Sequence, residues 1–279
     1  MADVSVITGG AGGMGLATAK VVGRDHPVVL CDVRQDRLDA ALAALTDLGI
    51  SAAAVNADVT DSAAVEGLFE TAAGLGNIAA VIHTAGVSPS MGAADYVMRT
   101  NAVGTVNVDE AFFRTAAAGS AIVNVASMAA HILPEEFMPT AQFPVALADA
   151  DRFMAEMSTV CEMAPEEARS GLAYAISKGF VRWYSSSQAE RFNTRGLRIV
   201  SVSPGSVDTE MGRLEEQAGA GALVADAAVP RWGKAEEMAD LLAFCVSDKA
   251  GYLTGTDILN DGGVVASIRE RARIAAANG

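Results

Sequence analysis

The sequence predicts an α/β protein built on a mainly parallel sheet with helices on both faces. Short β-branched runs alternate along the chain with segments whose apolar residues recur at three- and four-residue steps. The first run leads directly into a glycine-rich loop, and polar residues or glycines follow several of the later runs. Strands that alternate with helices in this way form parallel sheets that are covered on both sides.

Seven apolar runs are predicted as strands, at 4–7, 28–31, 50–55, 78–82, 121–125, 197–202 and 256–260. Helices are predicted over 16–23, 35–48, 91–114, 147–163, 174–193 and 234–246, and one more begins near Ser62, where Asp61 or Thr60 can cap it. Residues 206–230 are rich in Ala and Gly and are predicted to be mobile, whereas 267–279 is predicted as a fraying helix or a subunit contact. No repeat or linker divides the chain, so residues 1–279 are expected to form one domain.

The composition excludes several classes of function. The formal net charge is −14, and so acidic a protein is a poor partner for nucleic acid or for an anionic membrane. Cys31, Cys161 and Cys245 are isolated, which offers no disulfide framework or zinc site and is typical of a reducing compartment. No apolar run approaches the ~20 residues of a membrane span, and the first residues lack the pattern of a secretory signal. We therefore expect a cytoplasmic protein with no metal site.

The loop after the first strand, residues 8–15, has the composition of a phosphate-binding turn. It reads Thr-Gly-Gly-Ala-Gly-Gly-Met-Gly and leads into a helix, whose N-terminal N–H groups and dipole attract a phosphate. Asp32 ends the second strand, 23 residues after Gly9, where a carboxylate binds the ribose hydroxyls of a dinucleotide. Such an acid repels a 2′-phosphate, so NAD is favoured over NADP. Arg34 could soften that preference, although a solvated arginine is the favoured interpretation.

Other candidate residues also follow predicted strands. Asp58 comes after the third strand and could reach an adenine or simply form a turn. His83 ends the fourth strand and is expected to be packed or hydrogen-bonded rather than catalytic. Asn101 lies inside a predicted helix, where asparagine is mildly unfavourable and needs partners if it is buried. Ser127 follows the fifth strand. Because ligands bind at the carboxyl ends of parallel strands, Asp32, Asp58, Gly86 and Ser127 converge with the glycine loop.

Tyr174 and Lys178 are four residues apart, which places their side chains on one face of a helix. An ammonium group beside a phenol favours the phenolate and lowers the pKa of the phenol. At ~4 Å and an effective dielectric constant of ~20, the Coulomb energy is about 4 kcal/mol, or roughly three pKa units. A pair of this kind also occurs by chance on solvated helices, so its interpretation depends on the surrounding motifs.

Together these motifs resemble the classical short-chain dehydrogenase/reductase family. The resemblance covers nearly the whole chain: Thr-Gly-x-x-x-Gly-x-Gly at 8–15, Asn-x-x-Ser at 124–127, Tyr-x-x-x-Lys at 174–178 and Asp-Gly-Gly at 261–263. The family's Asn-Ala-Gly turn is Thr84-Ala85-Gly86 here, a departure that we interpret as minor. The resemblance implies a single-domain Rossmann fold with a seven-stranded sheet. It also implies that NAD is bound by Thr8, Gly9, Gly13, Met14, Gly15, Asp32, Asp58, Val59, Ala85, Gly86, Tyr174, Lys178, Pro204, Gly205, Val207 and Thr209.

The family resemblance also implies the chemistry, which is hydride transfer between a nicotinamide and a ketone or secondary alcohol. Ser127 would bond the substrate oxygen, and Tyr174 would act as general acid in reduction and general base in oxidation. Lys178 would lower the pKa of Tyr174 and hold the nicotinamide ribose, while Asn101 would hold a water that relays protons. We accordingly expect a small-molecule alcohol or ketone as substrate and a homodimer or homotetramer as the assembly.

The spacing between the serine and the tyrosine departs from the family pattern. Ser127 and Tyr174 lie 47 residues apart, farther than is usual, so residues 131–169 are interpreted as an insertion. This resembles the hydroxysteroid dehydrogenase/carbonyl reductase type and puts in doubt a subunit contact through the tyrosine helix. One hypothesis is that 131–169 covers the substrate with apolar side chains, Met154 and Met157 among them, and favours a bulky apolar substrate. The alternatives are an oligomer contact or a surface excursion.

Two rival functions are considered. A serine hydrolase is disfavoured because Ser127 lies in Val-Ala-Ser-Met-Ala, without the glycines of a nucleophile elbow. A non-catalytic NAD-binding regulator on the same fold is the second rival, since a fold does not determine a function. The presence of Ser127, Tyr174 and Lys178 together argues against it.

Overall fold

A computed structural model describes residues 2–278, without the side-chain surroundings of residues 219, 220 and 278. Within these residues the strands form one seven-stranded sheet in the order β3-β2-β1-β4-β5-β6-β7, and every neighbouring pair is parallel. The predicted fold class is therefore confirmed. The strands are β1 Asp3–Thr8, β2 Val28–Asp32, β3 Ala52–Asn56, β4 Asn77–His83, β5 Ala121–Val125, β6 Arg198–Pro204 and β7 Asp257–Asn260.

Helices follow the strands and cover the sheet on both faces. They are α1 Gly13–Val22, α2 Gln35–Thr46, α3 Ser62–Leu75, α4 Ala94–Met98, α5 Gly104–Thr115, α6 Ala129–Ile132, α7 Ala150–Glu162, α8 Arg169–Ser187, α9 Ala189–Asn193, α10 Glu210–Glu215, α11 Gly221–Asp226, α12 Ala235–Val246 and α13 Val264–Asn278. In the described part of the chain, no helix is both long and apolar enough to cross a membrane.

The apolar core has two layers, because successive strand residues point to opposite faces of the sheet. Val6, Val81 and Ile122 belong to the layer beneath α3, α5 and α8. Ile7 and Ile82 belong to the other layer, beneath α1, α2 and α12. Both layers are filled mainly by Val, Ile, Leu and Ala, as expected for strands that are buried on both faces.

Three segments differ from the predicted elements. The long helix predicted over 91–114 is divided into α4 and α5 by a π-helical stretch, Arg99–Val103, that contains Asn101. The helix predicted from Tyr174 begins earlier, at Arg169, and α9 continues it after a one-residue break. Residues 206–230 contain α10, the π-helical stretch Glu216–Ala220 and α11, so they are more regular than expected. The tail helix starts at Val264 and is described to Asn278, which leaves Gly279 outside the described residues.

Asp61 illustrates how the sequence sets a helix boundary. Its side chain accepts hydrogen bonds from the N–H groups of Ala63 and Ala64, at 2.9 and 3.2 Å. These N–H groups belong to the first turn of α3 and have no partner within the helix. Asp61 is thus the N-cap, and Thr60 instead donates to Asp58.

Candidate active site

The glycine loop joins β1 to α1 in the conformation that a phosphate site requires. Gly9 and Gly13 have φ of 64° and 48°, in the left-handed region that favours glycine. A Cβ at Gly9 would lie 2.8 Å from the Ala85 nitrogen, and one at Gly15 would collide with the Gly9 carbonyl. The N-cap, Gly12, provides no side-chain bond to the start of α1. The first N–H groups of α1 therefore fit a phosphate that approaches the loop.

The carboxylate of Asp32 stands at the end of β2, where the sequence predicts a ribose ligand. Its Oδ1 accepts from the N–H of Arg34 at 3.1 Å. The exposed guanidinium of Arg34 turns away and binds both carboxylate oxygens of Asp36, at 2.9 and 2.6 Å. Arg37 donates from one nitrogen, Nη2, to both carboxylate oxygens of Glu210, at 2.6 and 2.7 Å. The interpretation of Arg34 as a surface residue is confirmed, and both arginines are neutralised by carboxylates.

Asp58 has the geometry of a turn residue. Its Oδ1 accepts from both the N–H and the hydroxyl of Thr60, each at 2.8 Å. The next residue, Val59, is buried, and its side chain packs against Gly104 at the start of α5. This arrangement fixes the end of β3 against the start of α5 but shows no adenine contact by itself.

His83 links the first and fourth strands to the helix that carries Asn101. Its Nδ1 lies 2.7 Å from the hydroxyl of Thr8, and its Nε2 lies 3.0 Å from the hydroxyl of Thr105. Thr105 donates to the Asn101 carbonyl at 2.7 Å, so it must accept from the ring, which places the proton on Nε2. Burial, and then the charge of Lys178, lower the pKa of His83 to about 3. His83 is a neutral structural residue, as predicted.

The turn after β4 is held by Thr8 and Thr84. The Thr84 hydroxyl donates to the Thr8 carbonyl at 2.7 Å, and the Ala85 N–H donates to the Thr8 hydroxyl at 3.3 Å. Thr84 therefore ties β4 to β1. A Cβ at Gly86 would come within 3.0 Å of the Asn101 Oδ1 and 3.3 Å of the Lys178 Nζ. Glycine leaves room there for both side chains to pack against its backbone.

Asn101 is 1% exposed, and all of its side-chain bonds are made within the protein. Its amide exchanges two hydrogen bonds with the backbone of Val87, at 2.9 and 3.0 Å, and donates to Ser177 at 3.1 Å. The expectation that a buried asparagine needs partners is met. The side chain fixes the turn after Gly86, and the π-helical stretch around it resembles the bulges that often occur at functional sites.

Tyr174 and Lys178 lie on the inner face of α8, opposite Ser127. Lys178 is buried and donates from Nζ to the Val125 carbonyl at 2.8 Å, and its Nζ is 5.9 Å from the centre of the Tyr174 ring. The Ser127 hydroxyl accepts from the Ala129 N–H at 3.2 Å. The three side chains line one cavity of about 340 Å³.

The pKa values of the pair are both shifted by burial. Burial lowers the pKa of Lys178 to about 8. Burial raises the pKa of Tyr174; the interaction with Ser127 opposes this shift, and the charge of Glu215 adds to it. In the protein alone the Tyr174 pKa is therefore shifted upward, and the lowering by Lys178 together with the positive nicotinamide stays a prediction. Loss of water around the phenol is the largest cause of the upward shift, and the Lys178 ammonium is hydrogen-bonded to the Val125 carbonyl.

The carboxyl end of β6 completes the cavity. The Pro204 carbonyl accepts from the Met128 N–H at 2.9 Å, and the Gly205 N–H donates to Asn260 at 3.0 Å. Thr209 is the N-cap of α10, and its methyl group reaches Gly13 of the glycine loop. Nine of the predicted site residues line the cavity: Met14, Gly86, Ser127, Tyr174, Lys178, Pro204, Gly205, Val207 and Thr209. The others lie behind it or along the adjoining strand ends: Thr8, Gly9, Gly13, Gly15, Asp32, Asp58, Val59, Ala85 and Asn101.

Residues 131–169 do not form the predicted cover over the substrate. Within the described residues, Ile132 is the one member of this segment that lines the cavity. Met154 and Met157 are buried in the core instead, on a face of α7 that packs against α4 and α8. The hypothesis that 131–169 covers the substrate is wrong. The apolar content of the segment predicted that its side chains are buried, but it did not predict which surface of the protein they contact.

The opposite wall comes from residues that the sequence reasoning missed. They are Met211, Glu215, Leu223 and Trp232. Their position after β6 was the available signal, because connections that leave the carboxyl end of a parallel strand border the ligand site. Their Ala- and Gly-rich surroundings concealed it.

The site geometry and the similarity to known proteins point to the same class of protein. The glycine loop, the acid after β2 and the cavity define a dinucleotide-binding α/β protein. A family model described as short chain dehydrogenase matches residues 3–139, and one described as enoyl-(acyl carrier protein) reductase matches residues 155–265. The chain belongs to the short-chain dehydrogenase/reductase family and is a dehydrogenase/reductase enzyme with the family's Rossmann-like fold.

Individual relatives are similar to this chain over nearly its whole length. A short-chain dehydrogenase/reductase of Alternaria brassicicola is 29% identical over 272 residues, covering 95% of this chain and 97% of its own length. The gluconate 5-dehydrogenase of Gluconobacter oxydans is 26% identical over 270 residues, covering 95% of each chain. A solved short chain dehydrogenase of Burkholderia cenocepacia, in complex with NADP, is 25% identical with a TM-score of 0.74, covering 93% of this chain and 96% of its own.

Proposed function

We propose that the protein is an NAD(H)-dependent oxidoreductase that interconverts a secondary alcohol and a ketone, with Tyr174 as the general acid and base. The observation that carries this proposal is the convergence of Ser127, Tyr174 and Lys178 on one cavity. The same cavity reaches Met14 of the glycine loop and Thr209 of α10. Family membership supports dehydrogenase/reductase chemistry at this site.

Each catalytic residue has a role that its surroundings support. When bound, the nicotinamide gives or accepts the hydride. Ser127 donates a hydrogen bond to the substrate oxygen. Tyr174 carries a proton at neutral pH, as an ordinary phenol does, and burial raises its pKa further, so in reduction it is the group that donates a proton to the ketone oxygen. In oxidation it must first lose the proton, and we expect that direction to speed up as the pH rises. Asn101 holds the turn at Gly86 in place, and its π-helical backbone is our candidate for anchoring a proton-relay water.

The residues around the adenosine end favour NAD over NADP. Asp32 presents a carboxylate to the ribose, and Arg34 and Arg37 are each neutralised by another carboxylate. The Asp32 carboxylate would repel a 2′-phosphate, and neither Arg34 nor Arg37 has a free guanidinium to offset that repulsion. Asp32→Asn should raise the ratio of kcat/KM for NADP to that for NAD by about tenfold. Asp39→Asn removes the same charge from an exposed position of α2 and is the matched control, for which the ratio should not change.

The cavity supports a bulky, mainly apolar substrate of the hydroxysteroid kind. Its wall includes Val87, Met128, Ile132, Leu223 and Trp232. Apolar walls with a few convergent polar groups are typical of sites for such ligands. We also propose a cytoplasmic homodimer or homotetramer, as the family resemblance implies. Sedimentation analysis tests the assembly, and a monomer at micromolar concentration would contradict it.

Turnover by the Tyr174→Phe variant tests the proposal. A panel of alcohols and ketones, steroids included, is assayed by nicotinamide fluorescence with NAD and NADP in parallel. Removal of the phenol should reduce kcat by at least ~10²-fold, the usual contribution of general acid–base catalysis. The control is Tyr252→Phe, since Tyr252 is fully exposed. Turnover that survives Tyr174→Phe would overturn the mechanism, and NAD binding without any turnover by the unmodified protein would favour a regulatory role.

A further inference from the structure

One carboxylate, that of Glu215, lines the otherwise mainly apolar cavity that contains Tyr174. Glu215 ends α10, and its side chain is half-buried. Its Oε1 accepts from the backbone N–H of Ser90 at 3.0 Å, which fixes the carboxylate beside the turn Pro89–Met91. Pro89 lines the same cavity, so this bond joins two of its walls. Among the described residues, no Arg, Lys or His forms an ion pair with Glu215.

The charge of Glu215 reaches the catalytic centre. It acts on the Tyr174 phenol by Coulomb repulsion of the phenolate. The one cationic side chain that lines the cavity among the described residues is Lys178, which is buried and donates to the Val125 carbonyl. A ligand in this cavity therefore meets a negative charge on the wall formed by α10. No arginine lines the cavity within the described residues to bind an anionic group.

We propose that Glu215 is a specificity-determining residue that selects substrates carrying a cationic or hydrogen-bond-donating group and excludes those carrying a carboxylate. This inference rests on the proposed alcohol–ketone chemistry and adds the charge class of the substrate. The Oε2 of Glu215 has no donor among the described residues and accepts a hydrogen bond from the substrate. The reacting carbon lies at the Ser127–Tyr174 end, and the recognised group lies toward α10.

The expected size of the effect follows from Coulomb's law. At an effective dielectric constant of ~20, two unit charges ~8–10 Å apart interact with an energy of about 2 kcal/mol. This energy changes a dissociation constant by about tenfold or more. The wall is partly open to solvent, which weakens the interaction, so we expect about tenfold discrimination between a carboxylate and its neutral amide. Neutralising Glu215 should remove that factor for the anion and should reduce the affinity of a cation.

Three probes test the inference; they share one ring and are anionic, neutral and cationic. The probes are 4-hydroxycyclohexanecarboxylate, its carboxamide and 4-(aminomethyl)cyclohexanol. Their binding to the NAD-saturated protein is measured by calorimetry, and their oxidation is measured by nicotinamide fluorescence. The unmodified protein should bind the amide about tenfold more tightly than the carboxylate, and the cationic amine more tightly still. Glu215→Gln should reduce this ratio to within about twofold.

The matched control is Glu216→Gln. Glu216 is the adjacent, exposed residue, pairs with Arg213 and does not line the cavity, so the substitution removes the same charge outside the site. Its ratios should equal those of the unmodified protein. Equal binding of all three probes by the unmodified protein, or the same loss of discrimination in Glu216→Gln, would overturn the inference.

The two readouts separate failure of this inference from failure of the proposed function. Discrimination in binding without turnover of any alcohol would support the role of Glu215 while contradicting the oxidoreductase mechanism. Turnover of an alcohol without discrimination in binding would support the oxidoreductase mechanism while contradicting the role of Glu215. The pH profile of oxidation adds a third test, because Glu215 raises the pKa of Tyr174. In Glu215→Gln the alkaline rise should move to lower pH, whereas a structural role alone would not move it.

Discussion

Residues 131–169 and residues 206–232 both follow strands that end at the candidate active site, yet they contact different parts of it. The first segment packs against α8 in the core, where the Phe143 and Phe153 rings lie 5.4 and 5.2 Å from the Phe180 ring. The second lines the cavity with Met211, Glu215 and other residues. We infer that the first segment supports the catalytic helix and that the second contacts the substrate.

The difference shows what apolar composition can and cannot predict. The methionines of α7 and α10 look equivalent in the sequence, but Met154 and Met157 are buried in the core whereas Met211 lines the cavity. The direction in which each chain leaves its strand decides the outcome. After β5 the chain packs α6 and α7 against α8, and after β6 several of its residues line the cavity at the carboxyl ends of the strands.

Phe153→Ala should produce the largest loss of stability. Phe153 is fully buried between α7 and α8, and truncation of such a ring costs about 3–5 kcal/mol. Urea unfolding followed by circular dichroism measures the change. Met163→Ala is the control, since Met163 is 81% exposed at the end of the same helix and should change the free energy of unfolding by less than ~0.5 kcal/mol. Equal losses in the two variants would contradict the supporting role of 131–169.

Lys178→Met tests the inner face of α8 and should stabilise the protein while abolishing turnover. Burial lowers the Lys178 pKa from 10.5 to about 8, so the folded state holds a costly charge below pH 8. This pKa shift corresponds to a cost of about 3 kcal/mol in the free energy of unfolding. Because the substitution also removes the hydrogen bond to the Val125 carbonyl, the expected net gain in stability is ~2 kcal/mol.

The pH dependence gives the sign of this test. Between pH 8 and pH 10.5 the unfolded chain binds more protons than the folded one, so the stability of the unmodified protein rises with pH. The advantage of Lys178→Met should therefore be complete below pH 8 and shrink toward pH 10.5. An advantage that does not change with pH, measured by urea unfolding at each pH, would show that the charge is not the cause.

Trp232→Ala should weaken substrate binding with little effect on stability. Trp232 is half-buried in the cavity wall, and its ring lies 4.8 Å from the Arg213 guanidinium. Loss of this apolar surface should raise the KM for a bulky ketone by about tenfold and leave kcat within a few-fold. Steady-state kinetics provide the measurement. A loss confined to stability would place 206–232 in the same class as 131–169.

Asp149→Ala should give the smallest effect. The Asp149 side chain accepts from the Arg152 N–H at 2.9 Å and caps α7. Loss of an N-cap costs about 1 kcal/mol. Thermal unfolding should detect this cost, and the substrate preference should remain the same as in the unmodified protein.

The sequence predicted the sheet and most of the site because both depend on local patterns. Short β-branched and apolar runs located the seven strands, and the spacing of Tyr174 and Lys178 placed them on one helix face. The pKa of Tyr174 could not be predicted, because it depends on burial and on Glu215, 41 residues away in the sequence. The roles of 131–169 and 206–232 depend on packing between distant elements, which periodicity does not encode.

The most direct test compares substrate preference in Met211→Ala and Met154→Ala. The measured quantity is the ratio of kcat/KM for a bulky ketone to that for a small one, with folding verified by thermal unfolding. We predict that Met211→Ala changes this ratio several-fold at nearly unchanged stability. Met154→Ala should lower the free energy of unfolding by about 2–5 kcal/mol and leave the ratio unchanged. The reverse pattern, a changed ratio in Met154→Ala and an unchanged one in Met211→Ala, would contradict the account.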